Sequence, residues 1–342
     1  MRSIPVMMVA AMAAAVTLGT IVWAATTSAQ NYPWKPIHPV TVIVPSPAGG
    51  STDQMAHIVA DELSKALGQK FVVVNQPGAS GSSGTKNALD APHDGYTWAA
   101  GAATDLGTYK VLGMLDTNLS DWALYYTVAN VSVISANPGA SYRDFGELLE
   151  ALKKNGDNIP VATAGVSSAG HHMMELVRAA TGIRYRHVTY DGSNPAVIAA
   201  VSGEVPVVSQ LLVEMSQMIK GKRLTPLVAL NDKPVMLEGY GEIPPITRWV
   251  PGMVAPVHYF GIWLPKDAPA DVIRTMDMVW PDRIAKSEAL QKYAASRSAI
   301  FTPLHGQEAY DGGMKMVRQI AWMYFDAGRA KISPDSVGIP RT

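Results

Sequence analysis

The chain has 342 residues, 28 Lys plus Arg against 28 Asp plus Glu for a formal net charge of zero, and no cysteine. Balanced charge without a basic stripe argues against a nucleic-acid partner, and the lack of cysteine excludes disulfides and a thiol nucleophile. Hydrophobic residues make up 48% of the chain, so a chain of this length is expected to fold as two packed domains.

The first 29 residues have the pattern of an export signal. Arg2 is followed by an apolar stretch from Ile4 to Ala25 and then by small residues up to Ala29, which predicts a signal peptide over residues 1–29. The apolar stretch exceeds the usual signal core of about 7 to 15 residues, so an uncleaved membrane anchor remains the alternative. In either case the rest of the chain is expected to be exported.

The first predicted unit after this signal is a strand, a glycine-rich turn and a helix. An apolar run at 40–44 breaks into the turn 45–50, and Ser51, Thr52 and Asp53 can each cap a helix that continues to the next glycine. A helix that begins just past a parallel strand points unsatisfied N–H groups and its positive dipole end toward the cleft above the sheet. This turn therefore predicts an anion site made of backbone.

Two more units of the same kind complete the first half. The predicted strand 71–74 leads into the loop 75–84 and then into a short helix at 85–91. The predicted strand 97–103 leads into Thr104 and Asp105. Strands that alternate with helices indicate a mostly parallel, doubly wound sheet, whose loops gather at the carboxyl ends of the strands.

The second half repeats this alternation and then returns to the first. The predicted strands are 131–136, 159–164, 185–189, 205–209, 224–230 and 259–264, the helices include 142–154, 171–181, 270–295 and 306–327, and a proline-rich connector covers 244–256. We therefore expect an α/β fold of two doubly wound lobes with a ligand cleft between them. Residues 30–134 and 258–342 form lobe 1, residues 135–257 form lobe 2, and the chain crosses near residues 135–138 and 251–258.

Other kinds of chemistry fit the loops less well. Neither glycine loop has a P-loop or dinucleotide fingerprint. The turn around Ser167 and Ser168 resembles a nucleophile elbow beside His171, but Ala169 stands where its final glycine belongs. The neighbouring His171 and His172 point in different directions on a helix, which disfavours a metal pair. No catalytic residue, metal or cofactor is expected, and an exported serine hydrolase remains the rival enzyme.

Several motifs together resemble those of the tripartite tricarboxylate transporter substrate-binding proteins, also called the Bug family. The likeness covers roughly residues 32–330, and the segments that carry it are 32–37, 43–45, 48–53, 67–69, 74–78, 93–97, 187–193 and 203–205. The resemblance implies a monomeric periplasmic receptor of Gram-negative type that closes on a small organic carboxylate. It would deliver this ligand to membrane transporter subunits, and a sensor that informs a membrane signalling partner is the alternative.

The resemblance also implies which positions hold the ligand, chiefly through backbone amides and ordered water. They are Ala48, Gly49, Gly50, Ser51, Thr52, Asp53, Gly81, Ser82, Ser83, Gly84, Thr104, Asp105, Ser167, Ser168, Ala169, Gly170 and Asp191. The predicted helix N-termini point to the same loops, where backbone N–H groups would hold an anion without any buried Lys or Arg.

Three departures from the family pattern leave the identity of the carboxylate open. Asp191 stands where the family usually has lysine, and Gln210 and Leu211 replace an Asp-Asn pair. A family pattern of proline-threonine and glutamate is degraded at 245–248. Asp191 predicts a preference for a ligand that carries a hydrogen-bond donor.

Overall fold

The computed structural model describes residues 31–253 and 256–341 of the chain. The predicted signal peptide, residues 1–29, and its membrane-anchor alternative lie outside these described residues. Within the described part, no helix is both long enough and apolar enough to cross a membrane.

Strand–turn–helix units make up the first third of the fold, as the sequence pattern predicts. In chain order they are β1 (Val40–Val44), α1 (Ser51–Leu67), β2 (Phe71–Asn75), α2 (Ser82–Leu89), β3 (Thr97–Ala102), α3 (Ala103–Leu112) and β4 (Trp122–Asn130). Gly68 ends α1 in the left-handed region at φ 70°, which glycine adopts without steric cost.

The middle of the chain builds a second set of units. They are β5 (Ser132–Ala136), α4 (Phe145–Asn155), β6 (Pro160–Thr163), α5 (Ala169–Thr181), β7 (Arg186–Thr189), α6 (Ser193–Ser202), β8 (Val207–Leu211), α7 (Leu212–Lys220), β9 (Thr225–Ala229), β10 (Val235–Leu237) and β11 (Gly241–Ile243). The last part returns through β12 (His258–Pro265), α8 (Ala270–Asp282), α9 (Glu288–Arg297), β13 (Ile300–Phe301) and α10 (Gly306–Asp326).

Two mixed sheets form the centres of the two lobes. The first has the strand order β13-β4-β12-β3-β1-β2 and the second has the order β7-β6-β8-β5-β9, while β10 and β11 form a separate hairpin. Only the pairs β1–β2, β1–β3, β6–β7 and β6–β8 are parallel in the described sheets. The α/β fold with two doubly wound lobes is confirmed, but the sheets are less parallel than predicted, because β12 returns from the second lobe and runs antiparallel between β3 and β4.

The chain changes sheet at Val131. Strand β4 ends at Asn130 in the first sheet, and β5 pairs with β8 and β9 in the second. The first crossing therefore precedes the predicted one at 135–138. The predicted lobe boundary at 134 falls within β5. The return crossing ends at His258, which pairs with Asn130, so the two crossings lie side by side.

The predicted helix over 270–295 and the segment after Ala102 differ from the sequence pattern. The predicted helix over 270–295 is two helices, because Pro281 lies in the last turn of α8 and Ser287 caps a new helix by accepting the Leu290 N–H. Residues after Ala102 continue directly into α3, and β4 was not predicted at all. Both changes position the cleft: α3 carries Asp105 into it, and β4 leads the chain to the second lobe.

Candidate ligand-binding site

A cavity lies between the carboxyl ends of strands from both sheets. Its walls come from the loops and helix starts that follow β1, β2, β3, β6, β7 and β8, with Phe260 and Trp263 of β12 contributing further surface. The centre of a water molecule can move through about 120 Å³ of this space. One water needs only about 10 to 15 Å³ by the same measure, so the cavity has room for a small organic molecule.

Helix N-termini surround this cavity. Gly50, Ser51 and Thr52 line it at the start of α1, and Ser168 and Ala169 line it at the start of α5. The start of α6, at Ser193 and Asn194, completes this rim. The first N–H groups of a helix have no partner within the helix and lie at its positive dipole end, so these walls can hold an anionic group through backbone.

The predicted site residues divide into two sets. Those that line the cavity are Gly50, Ser51, Thr52, Gly81, Asp105, Ser167, Ser168, Ala169 and Asp191. Those that lie outside its lining are Ala48, Gly49, Asp53, Ser82, Ser83, Gly84, Thr104 and Gly170. The structure thus brings five of the predicted loops together but gives several of their residues supporting positions.

Asp53 and Gly49 hold the first loop in shape. The Gly49 N–H donates to Asp53 Oδ2 at 2.8 Å, and Asn75 Nδ2 donates to Asp53 Oδ1 at 2.9 Å. The Gly49 amide therefore has an acceptor already, and the Asp53 carboxylate, buried in the fold, fixes the turn that presents Gly50 and Ser51.

The second glycine loop likewise satisfies much of its own backbone. The Gly81 N–H donates to Gly78 O at 2.9 Å and the Ser82 N–H donates to Ala79 O, which closes a short 3₁₀ turn. A Cβ at Gly84 would lie 2.5 Å from Gln76 O, so this glycine serves the close packing of backbone.

Thr104 and Gly170 face other partners. The Thr104 hydroxyl lies 3.3 Å from His258 Nδ1 in a buried position. A Cβ at Gly170 would lie 1.9 Å from Ser209 O, because α5 begins directly against β8.

The two lobes touch across the cavity. Ser51 Oγ on α1 donates to Glu214 Oε1 on α7 at 2.9 Å, and Ser167 Oγ donates to Ser80 O at 3.1 Å. These contacts join the first lobe to the second at the cavity wall.

Several cavity residues were missed by the sequence reading. Glu214, Ser193, Tyr109 and Trp263 all line the cavity. Ser193 ends the motif segment 187–193 but was not assigned to the site, and no loop motif marks the other three. Glu214 lies in the first turn of α7, where an acidic residue is ordinarily explained by the helix dipole. Gln210 was noticed only as a departure from the family pattern, and it also lines the cavity.

Two carboxyl groups dominate the electrostatics of the cavity. Burial raises the pKa of Glu214 to about 7, against hydrogen bonds from Ser51, Ser193 and the Leu211 N–H that lower it. Burial, and then the nearby Glu214 charge, raise the pKa of Asp105 well above its ordinary value. Both side chains keep some accessible surface and both line the cavity.

The hydrolase alternative lacks its central contact. Ser167 donates to Ser80 O and Ser168 donates to Gly165 O, while the His171 ring contacts Tyr185 and Arg329. Neither serine hydroxyl is hydrogen-bonded to the His171 ring, as a nucleophile and its base would be. Burial and the neighbouring His187 lower the pKa of His171 to about 2. Among the described residues, no three His, Asp or Glu side chains are placed to hold a metal ion.

The chain has relatives that are similar in sequence. The chain is 30% identical over 272 residues to the UPF0065 protein in the tcbD-tcbE intergenic region of Pseudomonas sp. strain P51, covering 78% of this chain and 79% of that one. It is 28% identical over 295 residues to Protein BugT of Bordetella pertussis, covering 82% and 86% of the two chains.

Solved structures with the same fold include periplasmic proteins. One described as a periplasmic transporter superposes with a TM-score of 0.74 at 25% identity, covering 86% of this chain and 97% of the other. A Rhodopseudomonas palustris protein with adipate gives 0.76 at 21%, covering 86% and 98%, and MatC of the same organism with bound malate gives 0.75 at 20%, covering 84% and 99%. A family model described as "Tripartite tricarboxylate transporter family receptor" matches residues 55–295. The chain therefore belongs to the tripartite tricarboxylate transporter receptor family.

Proposed function

We propose that this protein is a periplasmic receptor that captures a small organic carboxylate in the cavity between its lobes and delivers it to a membrane transporter. The observation that carries the proposal is the convergence of helix N-termini from both sheets on one cavity, at the carboxyl ends of the strands. Ligands of open α/β sheets bind at such edges, and a carboxylate suits the free N–H groups found there.

The first turns of α1 and α5 supply the main contacts in this proposal. Gly50, Ser51 and Thr52 offer backbone from the first lobe, and Ala169 offers backbone from the second. The Ser168 N–H already donates to Gly165 O at 3.3 Å. A ligand held by both turns stabilises the closed arrangement, because its contacts with the two lobes exist together only when the lobes are close.

The class of ligand and the destination rest on the family. Adipate and malate, which are bound in two structures of the same fold, are both small dicarboxylates. The family description names a transporter receptor, which favours delivery to a transporter over signalling to a sensor partner.

A thermal-shift screen with matched compounds tests the proposal. Succinate, malate, glutarate, adipate, aspartate and glutamate would each be compared with the corresponding diamide, which keeps the carbon skeleton and removes the carboxylates. A ligand at about 100 times its dissociation constant stabilises the folded state by roughly 2.7 kcal/mol, which corresponds to about 5 °C in melting temperature. The proposal fails if no carboxylate shifts the melting temperature, or if the diamides shift it equally.

A further inference from the structure

The charged side chains of the cavity are all acidic. Within the described residues that line it, Asp105, Asp191 and Glu214 are the carboxyl groups, and no Lys, Arg or His is present. Asp191 is exposed at the edge, whereas Asp105 and Glu214 lie deep enough for burial to dominate their ionisation. In their ionised forms, two buried acids would repel a purely anionic ligand.

Glu214 is built to be a hydrogen-bond acceptor. Ser51 Oγ donates to its Oε1 at 2.9 Å. The Gln210 side-chain amide satisfies its surroundings in the orientation in which Nε2 donates to Glu214 Oε2 at 3.1 Å and the amide oxygen accepts the Ala164 N–H at 2.9 Å. Ser193 and the Leu211 N–H lie close enough to lower the pKa of this carboxyl group, against the effect of burial. Donors on both oxygens favour the ionised carboxylate, but burial outweighs them and raises the pKa of Glu214 to about 7.

Within the part of the chain that the structure describes, no Lys, Arg or His of the neighbouring helix α9 forms an ion pair with this carboxylate. Arg297 of α9 donates to Val213 O at 3.3 Å and to Gln54 Oε1 at 2.8 Å. Tyr293, also on α9, donates its hydroxyl to Ser51 O at 3.1 Å. The groups that face Glu214 from α1, α3 and α9 therefore bring hydrogen-bond donors and a second carboxyl group, but not an ion pair.

Two further cavity residues have unmet hydrogen-bonding atoms. Asp105 Oδ1 is buried and has no hydrogen-bond partner among the described residues, and the same holds for Trp263 Nε1. Trp263 is only 1% exposed. Buried polar atoms of this kind are normally satisfied, so two residues of the cavity lining, Asp105 and Trp263, each keep an unmet hydrogen-bonding atom.

We propose that the ligand carries an ammonium group beside its carboxylate, and that the Asp105 and Glu214 carboxylates receive this ammonium while the helix N-termini hold the carboxylate. This inference rests on the proposed receptor function and narrows its ligand to the class of amino acids. An ammonium supplies a positive charge and three donors, whereas a hydroxyl group supplies a donor without the charge. The two positive helix ends and the two acids thus match the two poles of a zwitterion.

Matched ligand pairs test this choice. Isothermal titration calorimetry at pH 8 would compare aspartate with succinate, glutamate with glutarate, and alanine with propionate, each pair differing only in the α-ammonium group. We expect the amino acid of the best-binding pair to bind at least tenfold more tightly than its partner, which is about 1.4 kcal/mol. Glu214→Gln and Asp105→Asn should each remove at least tenfold of this preference. Asp61→Asn removes the same charge from an exposed position outside the cavity lining and should leave the preference unchanged.

A pH series on the wild-type protein gives a second measurement that needs no variant. Because the pKa of Glu214 is raised to about 7, its charge increases as the pH rises from 6 to 8, and the preference for the amino acid should increase in the same direction. The inference would be overturned if the acids that lack the ammonium bind more tightly than the amino acids. It would also be overturned if the preference for the amino acid decreases as the pH rises from 6 to 8. Either result would leave the proposed carboxylate receptor intact. If neither the amino acids nor the plain carboxylates bind, the receptor function fails as well.

Discussion

Replacing Gly170 by alanine should destabilise the protein strongly, because α5 begins too close to β8 to admit a methyl group. A Cβ at this position would lie 1.9 Å from Ser209 O and 2.7 Å from the Ser209 carbonyl carbon. Both obstructing atoms belong to the backbone of a central strand, so no side chain can rotate away. Gly170 was predicted as a ligand residue, whereas the structure gives it a packing role.

The magnitude follows from the overlap. An ordinary carbon–oxygen contact is about 3.5 Å, so α5 or β8 must move by more than an ångström. Overpacking of a core typically costs about 1 to 3 kcal/mol, and a clash with backbone belongs at the upper end. The shift would also disturb the hydrogen bond from Ser209 Oγ to Gly170 O, which is 2.9 Å long. Its loss lowers the free energy of unfolding by about 1 kcal/mol. Together these effects amount to about 4 kcal/mol, or a decrease of about 8 °C in melting temperature.

Thermal unfolding followed by circular dichroism measures this effect, and Gly312→Ala is the matched control. Gly312 is also helical, but a Cβ there would meet Tyr259 at an ordinary 3.4 Å, so alanine should be neutral or slightly stabilising. The reasoning is refuted if Gly170→Ala melts within about 2 °C of the control. Loss of ligand binding with an unchanged melting temperature would indicate that Gly170 contacts the ligand, as the sequence predicted.

Three further predictions concern the cavity and its closure. Gly50→Val should weaken carboxylate binding at least tenfold in calorimetry, because the new side chain occupies the cavity wall. The melting temperature should change little, because the Cβ meets Pro47 O and Ser193 Oγ at ordinary distances of 3.5 and 3.6 Å. An unchanged affinity would contradict this placement of the carboxylate. Asp191→Asn should reduce the affinity for an amino acid less than Glu214→Gln does, because Asp191 is exposed and its charge is screened; an equal or larger loss would place the ammonium at Asp191. Small-angle scattering should show a smaller radius of gyration when ligand is bound, since closure brings the lobes together; an unchanged radius at saturation would indicate a cleft that is already closed.

Local units of this fold were predictable because their signals are local. The run Val40–Val44 and the helix Ser51–Leu67 are set by apolar period and by glycine within a few turns of chain. The capping prediction was wrong in detail, because the N-cap is Gly50, without a side-chain hydrogen bond, and not Ser51, Thr52 or Asp53. The direction of β12 was not predictable in this way, because it depends on pairing with β3 and β4, more than 120 residues earlier. Strand β4 was missed for a related reason: it is buried on both faces and lacks the alternation that marks a half-buried strand.

The same distinction explains which parts of the site were found. Glycine loops can be recognised from neighbouring residues, and Gly50, Ser51 and Ser168 were predicted and line the cavity. Glu214 meets its partner Ser51 across 163 residues of sequence, so no local pattern could assign it to the cavity. Backbone geometry was therefore accessible from sequence, whereas the acidic charge of the cavity depends on how the two lobes are brought together.

Helix α10 bears on how those lobes can move. Met316, Ile320 and Tyr324 recur every four residues and pack in the core of the second lobe, while Val317 and Ala321, one position further on, pack in a core of the first. Residues four apart lie on one helix face, so two adjacent faces of α10 contact different lobes. A rotation at the crossings beside Val131 and His258 must therefore be accompanied by sliding along one face of α10. The face with Met316 and Tyr324 is the better candidate, because methionine adapts readily to a changed packing partner and the first-lobe face is closely packed against α3, where a Cβ at Gly107 would lie 2.3 Å from Val317.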